Sequence, residues 1–113
     1  MRESTPEFVQ GAFAFTGAGY DSPTPFASHS VSDDRRAQMV YLRAGNSSAE
    51  MVVVSVSKDG APMRLFPIGR KGAVHVPLAV IEDIDPGTRL DLAIAAPAGT
   101  SGTVVIDFGL VEI

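Results

Sequence analysis

The 113-residue sequence contains no cysteine, which excludes disulfide staples, thiolate nucleophiles and thiolate metal sites together. It contains no tryptophan and only 7% aromatic residues, so a surface that stacks on a flat ligand has only two tyrosines and six phenylalanines to draw on. The two histidines sit in neither a His-x-x-x-His nor a Glu-x-x-His arrangement, so no transition-metal ligand set is read and no cofactor is expected. Every apolar stretch is interrupted by Ser, Lys, Asp or Gly well short of the roughly 18 residues that cross a bilayer, so no membrane span is expected. Residues Met1 to Glu7 lack the basic start and apolar run of an export signal, which makes the cytoplasm the expected location. Gly-x-Ser-x-Gly is missing, and Gly17-Ala18-Gly19 leads into Tyr20-Asp21 rather than into a helix whose N-terminus would hold phosphate.

What is present reads as strands. Apolar residues make up 45% and charged residues 19%, ordinary values for a folded chain and long enough here for one domain over residues 1–113. Short β-branched runs separated by turn residues recur through the second half, the pattern of an all-β protein, and we expect an antiparallel β-sandwich, jelly-roll-like, of about seven short strands. Phe8–Phe15 reads as a first strand. Ala37–Ala44 reads as a strand with Val40 and Leu42 on one side and Met39, Tyr41 and Arg43 on the other. Val52, Val54 and Val56 share one face of a central strand that ends at Lys58-Asp59-Gly60, a tight hairpin turn, so Met63–Ile68 returns beside it. Gly69–Gly72 then suits a second hairpin into Ala73–Leu78, with Val74, Val76 and Leu78 inward. Leu90, Leu92 and Ile94 alternate with polar or small residues after the Asp85–Thr88 turn. In the last strand Val104, Ile106, Phe108 and Leu110 share one face, and the apolar residues of the other face imply cover there too. Pro67 and Pro77 belong at strand ends or edges because neither donates an amide. Only Leu78–Ile84 has room for a helical turn. Residues 16–36, rich in Gly, Ser, Pro and Asp, read as a long loop or arm whose aromatics dock on an apolar surface, either this domain's own sheet or a neighbour.

The candidate chemistry is sparse. Ser28, His29, Ser30, Asp33 and Asp34 supply the residue types of a hydrolase triad without its rigid elbow, so we expect no enzyme and no catalytic residue. Glu82, Asp83 and Asp85 offer carboxylates in a spacing that fits no calcium loop and read as a solvated turn. Asn46-Ser47-Ser48 matches a glycosylation acceptor but reads as a turn. The net charge of −4 argues against nucleic acid as a partner. Residues 58–78 carry a net +3 and residues 79–113 a net −5, a split that can pair within one fold or between subunits.

The expected function is therefore that of a non-catalytic interaction or accessory protein, acting through its sandwich surfaces as a homo-oligomer or as the subunit of a larger protein partner. The candidate interaction surface comprises Tyr20, Phe26, His29, Tyr41, Arg43, Arg64, Arg70, Lys71 and His75. A second reading is a module for a small ligand or carbohydrate, with Tyr20, Tyr41, Phe26 and Arg43 stacking on a sugar or similar ring.

Two stretches carry resemblances. Gly69-Arg70-Lys71-Gly72-Ala73-Val74-His75-Val76-Pro77, followed by Asp85-Pro86-Gly87-Thr88-Arg89-Leu90-Asp91-Leu92, resembles the AbrB-type swapped-hairpin transcription factors over about a quarter of the chain. The resemblance implies a DNA-binding hairpin dimer with Arg70, Lys71 and Arg89 on phosphate, although the stretch between Pro77 and Pro86 is shorter than that family's helix. Tyr41 to Ser48 and Gly102 to Asp107 resemble small accessory proteins of molybdopterin oxidoreductases, which implies an accessory role without a molybdenum motif.

Overall fold

The computed structural model describes residues 4–78 and 82–113. Among the described residues nine strands form two antiparallel sheets: β1 (Thr5–Thr16), β2 (Thr24–Ser30), β3 (Ala37–Asn46), β4 (Val52–Lys58), β5 (Ala61–Ile68), β6 (Ala73–Pro77), β7 (Asp83–Ile84), β8 (Arg89–Ala95) and β9 (Ser101–Glu112). The first sheet runs β1-β9-β3-β6, with β7 also on β3, and the second runs β2-β8-β4-β5. The protein is an all-β, jelly-roll-like antiparallel sandwich.

Period-two burial builds the core. Val52, Val54 and Val56 of β4, Leu90, Leu92 and Ile94 of β8, and Val104, Ile106, Phe108 and Leu110 of β9 are all buried between the sheets. The β4–β5 hairpin closes through Asp59 and Gly60, both at positive φ, with Lys58 opposite Ala61. That is the two-residue turn whose twist matches paired strands. Asn46 ends β3 by folding its side chain inward. Its Oδ1 accepts from the Ser48 amide at 2.9 Å and its Nδ2 donates to Glu50 O at 2.8 Å and Gly69 O at 3.2 Å, which satisfies the turn's backbone.

Several sequence expectations change in three dimensions. Residues 24–30 are not loop: they form β2, the edge strand beside β8, and an edge strand with one solvated side needs no apolar run. Tyr20 and Phe26, read as arm aromatics, dock on this chain: Tyr20 Oη donates to Met51 O at 2.8 Å, and the Phe26 ring lies 5.0 Å from that of Phe13. Val40 does not share the buried face of Leu42. A bulge between Met39 and Tyr41 shifts the phase, so Met39 turns inward and Val40 is 46% exposed. The second hairpin does not form, because β6 leaves β5 and pairs with β3 in the opposite sheet. The 69–77 and 85–92 stretches thus fall in different sheets, and the swapped hairpin implied by the AbrB resemblance is not built. The outer side of β9 is not covered throughout, since Val105 is 54% exposed. The helical turn read over Leu78–Ile84 falls partly on residues 79–81, which lie outside the described residues, and Asp83–Ile84 is strand.

Five of the eight prolines lie in edge strands, Pro6 in β1, Pro25 in β2, Pro62 and Pro67 in β5 and Pro77 in β6, and none lies in β3, β4, β8 or β9. A proline removes a donor from the open side of an edge and blunts strand addition by another chain.

Candidate functional site on the outer face of the first sheet

Antiparallel register lines up the outward side chains of β1, β9, β3 and β6 in rows. One row reads Gln10, Asp107, Arg43, His75, each residue opposite the next. The row on one side reads Phe8, Gly109, Tyr41, Pro77, and the row on the other reads Ala12, Val105, Gly45, Ala73. A polar line is therefore flanked by an aromatic line and by a line of small apolar residues.

Asp107 organises the polar line. Its Oδ1 accepts from Gln10 Nε2 at 3.0 Å and from Tyr41 Oη at 2.8 Å. Its Oδ2 faces Arg43 Nη1 at 3.9 Å, beyond hydrogen-bond reach, so this oxygen keeps acceptor capacity. The hydrogen bonds from Gln10 and Tyr41 hold the Asp107 carboxyl below the usual range, and the same bond pushes the Tyr41 phenol up. The carboxylate is thus ionised and fixed in place across the neutral pH range.

Tyr41 lies on bare backbone. A Cβ added to Gly109 would run into Tyr41 Cε2, so the ring reaches its position only because residue 109 is glycine. Its other neighbour is His75, ring centroids 6.1 Å apart and edge to face. Phe8, exposed, stands two strands away in the same row, about 10 Å by sheet spacing. Beside the polar row, Gly45 is open above its backbone: a Cβ added there would meet nothing within 4 Å. At this point a depression of about 600 Å³ opens, walled by Arg43, His75, Asp107 and Val105 and floored by Gly45 and Ala73. That is within the range of ligand clefts.

Of the sequence candidates, Tyr41, Arg43 and His75 come together here, and Arg70 and Lys71 occupy the turn that leads into β6. The others do not join them. Arg64 bonds to Met63 O on β5. Phe26 packs on Phe13, and Tyr20, half-exposed, is held by its bond to Met51 O. His29 Nε2 meets Glu112 at 2.9 Å between the two sheets, where Ser32 N also donates to Glu112 at 3.3 Å. Burial raises the Glu112 pKa, and the hydrogen bonds from Ser32 and His29 outweigh it to leave the carboxyl lowered. Sequence reasoning missed Gln10, Asp107 and Phe8. Their signal was present as outward positions of the first and last strands, but it needed the pairing of those strands to be known.

The acidic turn does not gather for a metal. Asp83 is taken by Arg36 and Gln38 and Glu82 pairs with Lys58 at 3.6 Å. Among the described residues no group of three or more His, Cys, Asp or Glu side chains converges.

No family model matches the chain, and no curated protein does. Solved structures do. The CBM36-1 domain of a multidomain xylanase from the hindgut metagenome of Trinervitermes trinervoides superposes with a TM-score of 0.63 at 14% identity, over 95% of this chain and 96% of that one. A CBM36 carbohydrate-binding module in complex with calcium and xylotriose gives 0.62 at 18% identity, over 91% and 97%. A family 35 carbohydrate-binding module from Clostridium thermocellum gives 0.56 at 11% identity, over 94% and 97%. At these identities the likeness is one of fold: the chain shares the jelly-roll sandwich of carbohydrate-binding modules.

Proposed function

We propose that the protein is a non-catalytic carbohydrate-binding module whose site is the outer face of the first sheet. The observation that carries this reading is the Tyr41 ring laid on Gly109 beside the fixed Asp107 carboxylate. Sugars present apolar C–H faces and clustered hydroxyls, so they call for a flat ring next to oriented donors and acceptors. Tyr41 and Phe8 offer the apolar platforms, Asp107 Oδ2 accepts from hydroxyls, and at the far wall Arg43 donates while His75 donates or accepts. The fold shared with carbohydrate-binding modules supports the same reading.

This reading stands ahead of self-association or an accessory role. The proline-bearing edges disfavour strand addition, whereas the polar and aromatic rows give a small ligand specific partners.

Affinity electrophoresis against a panel of soluble polysaccharides tests the proposal. The wild-type chain is retarded by at least one of them, Tyr41→Ala and Asp107→Ala migrate freely while melting cooperatively, and Leu65→Ser on the opposite face binds as wild type. Equal retardation of all variants, or retardation by none of the panel, overturns it.

A further inference from the structure

The cations of this chain are not used alike. Arg36 pairs with Asp83 at 3.0 Å, Lys58 with Glu82 at 3.6 Å and Arg89 with Asp91 at 2.9 Å. Arg35 donates to Thr5 and to Glu112 O, and Arg64 to Met63 O. The exceptions are grouped. Arg70 and Lys71, in the turn entering β6, have no side-chain partner among the described residues. Arg43, opposite His75, is 60% exposed and reaches Asp107 only at 3.9 Å. The turn is tied to the same end of the sheet: the Lys71 amide donates to Ser48 O at 2.9 Å and the Asn46 amide to Gly72 O at 2.9 Å. These contacts set Arg70 and Lys71 one step beyond Ala73, which floors the depression.

Arg43 on β3, His75 on β6 and Arg70 and Lys71 in the turn before β6 lie toward this end of the sheet. The carboxylate facing Arg43 is Asp107, one of whose oxygens is already committed to Gln10 and Tyr41, and Glu50 stands beside the turn, its backbone oxygen sharing Asn46 Nδ2 with that of Gly69. Arg70 and Lys71 thus keep their charge without an ion pair among the described residues, and Arg43 has Asp107 at 3.9 Å, so an arriving anion meets positive charge that is only partly neutralised. A guanidinium in this state matches a carboxylate in geometry as well as charge.

We infer that the ligand of this face is an acidic glycan, a chain bearing uronate carboxylates, with Arg43 and His75 meeting a carboxylate above Gly45 and Arg70 and Lys71 meeting the next along the β6 edge. The inference rests on the carbohydrate reading above and adds the charge of the sugar.

Titration calorimetry with polygalacturonate, its fully methyl-esterified counterpart and a neutral galactan separates the two claims, with duplex DNA as a polyanion lacking uronate. The expected result is binding to polygalacturonate that weakens as salt is raised, with the ester and the galactan weaker by roughly fivefold or more. In the Arg70→Gln/Lys71→Asn variant, which keeps a residue tolerant of the positive φ at 71, polygalacturonate binding falls by a similar factor with unchanged melting. Neutral and acidic chains bound alike, without salt dependence, overturn this inference and leave the carbohydrate reading standing. Binding to none of the saccharides overturns both. DNA bound as tightly as polygalacturonate, and equally by Tyr41→Ala, replaces the acidic glycan with unspecific polyanion attraction and also overturns the inference.

Discussion

The two outward faces of the sandwich are built on the same backbone plan and carry opposite chemistry. Across the first sheet the central row is Gln10, Asp107, Arg43, His75. Across the second the equivalent row is Pro25, Ala93, Ser55, Leu65. That second row is uncharged. It lies in a groove of about 290 Å³ walled by Pro23, Pro25, Pro62 and Leu65, and Asp91 at its end is paired with Arg89. Leu65 stands 66% exposed there, opposite Ser55. Both faces rest on the same valine and leucine core, so the core cannot be what distinguishes them. What differs is which residues occupy the outward half of each strand, positions that folding leaves free and recognition constrains.

The comparison breaks most violently when the shared core is damaged. Phe108→Ala removes the largest fully buried side chain and is expected to cost about 3–5 kcal/mol, so chemical denaturation shows both faces lost in one transition. A smaller effect of about 1–3 kcal/mol follows from Glu112→Gln, which leaves His29 with a poorer partner between the sheets. Its pH dependence has a definite sign. Glu112 is lowered on folding from 4.5, so its contribution is complete above that value and fades as pH falls through the folded one. Melting curves of wild type and variant should therefore converge on acidification below about pH 4.5, and a gap that widens there contradicts the assignment. The last pair sharpens the contrast between faces. Gly109→Ala displaces the Tyr41 ring and is expected to weaken glycan binding about tenfold with a modest loss of stability. Leu65→Ser changes stability by within about 0.5 kcal/mol and leaves binding unaltered in the same calorimetric titration.

Period two made much of this architecture readable along the chain, because burial writes itself on alternate residues. The buried trios of β4 and β8, the inner face of β9 and the Asp59-Gly60 turn all follow from that signal. β2 was hidden because an edge strand of Pro, Ser and Ala buries little. The Val40 bulge was hidden because one extra residue leaves no mark in composition. The partner of β6 was hidden because sheet pairing depends on contacts far apart in the chain. The candidate site suffers most from this last fact. Tyr41, Arg43 and His75 stand out individually, whereas Gln10 and Asp107, 97 residues apart, become one hydrogen-bonded unit only after β1 is laid beside β9. A site made of cross-strand rows is invisible to a reading that proceeds along a single strand.

Amide chemical shifts followed by NMR during titration with an oligosaccharide that binds show which face of the sandwich holds the ligand. The perturbed amides are expected to cluster at Gln10, Tyr41, Arg43, Gly45, His75, Val105 and Asp107, while those of Ser55, Leu65 and Ala93 stay still. Perturbation centred on the second sheet, or spread along the strand edges with the Asp107 row unmoved, would contradict that placement of the site.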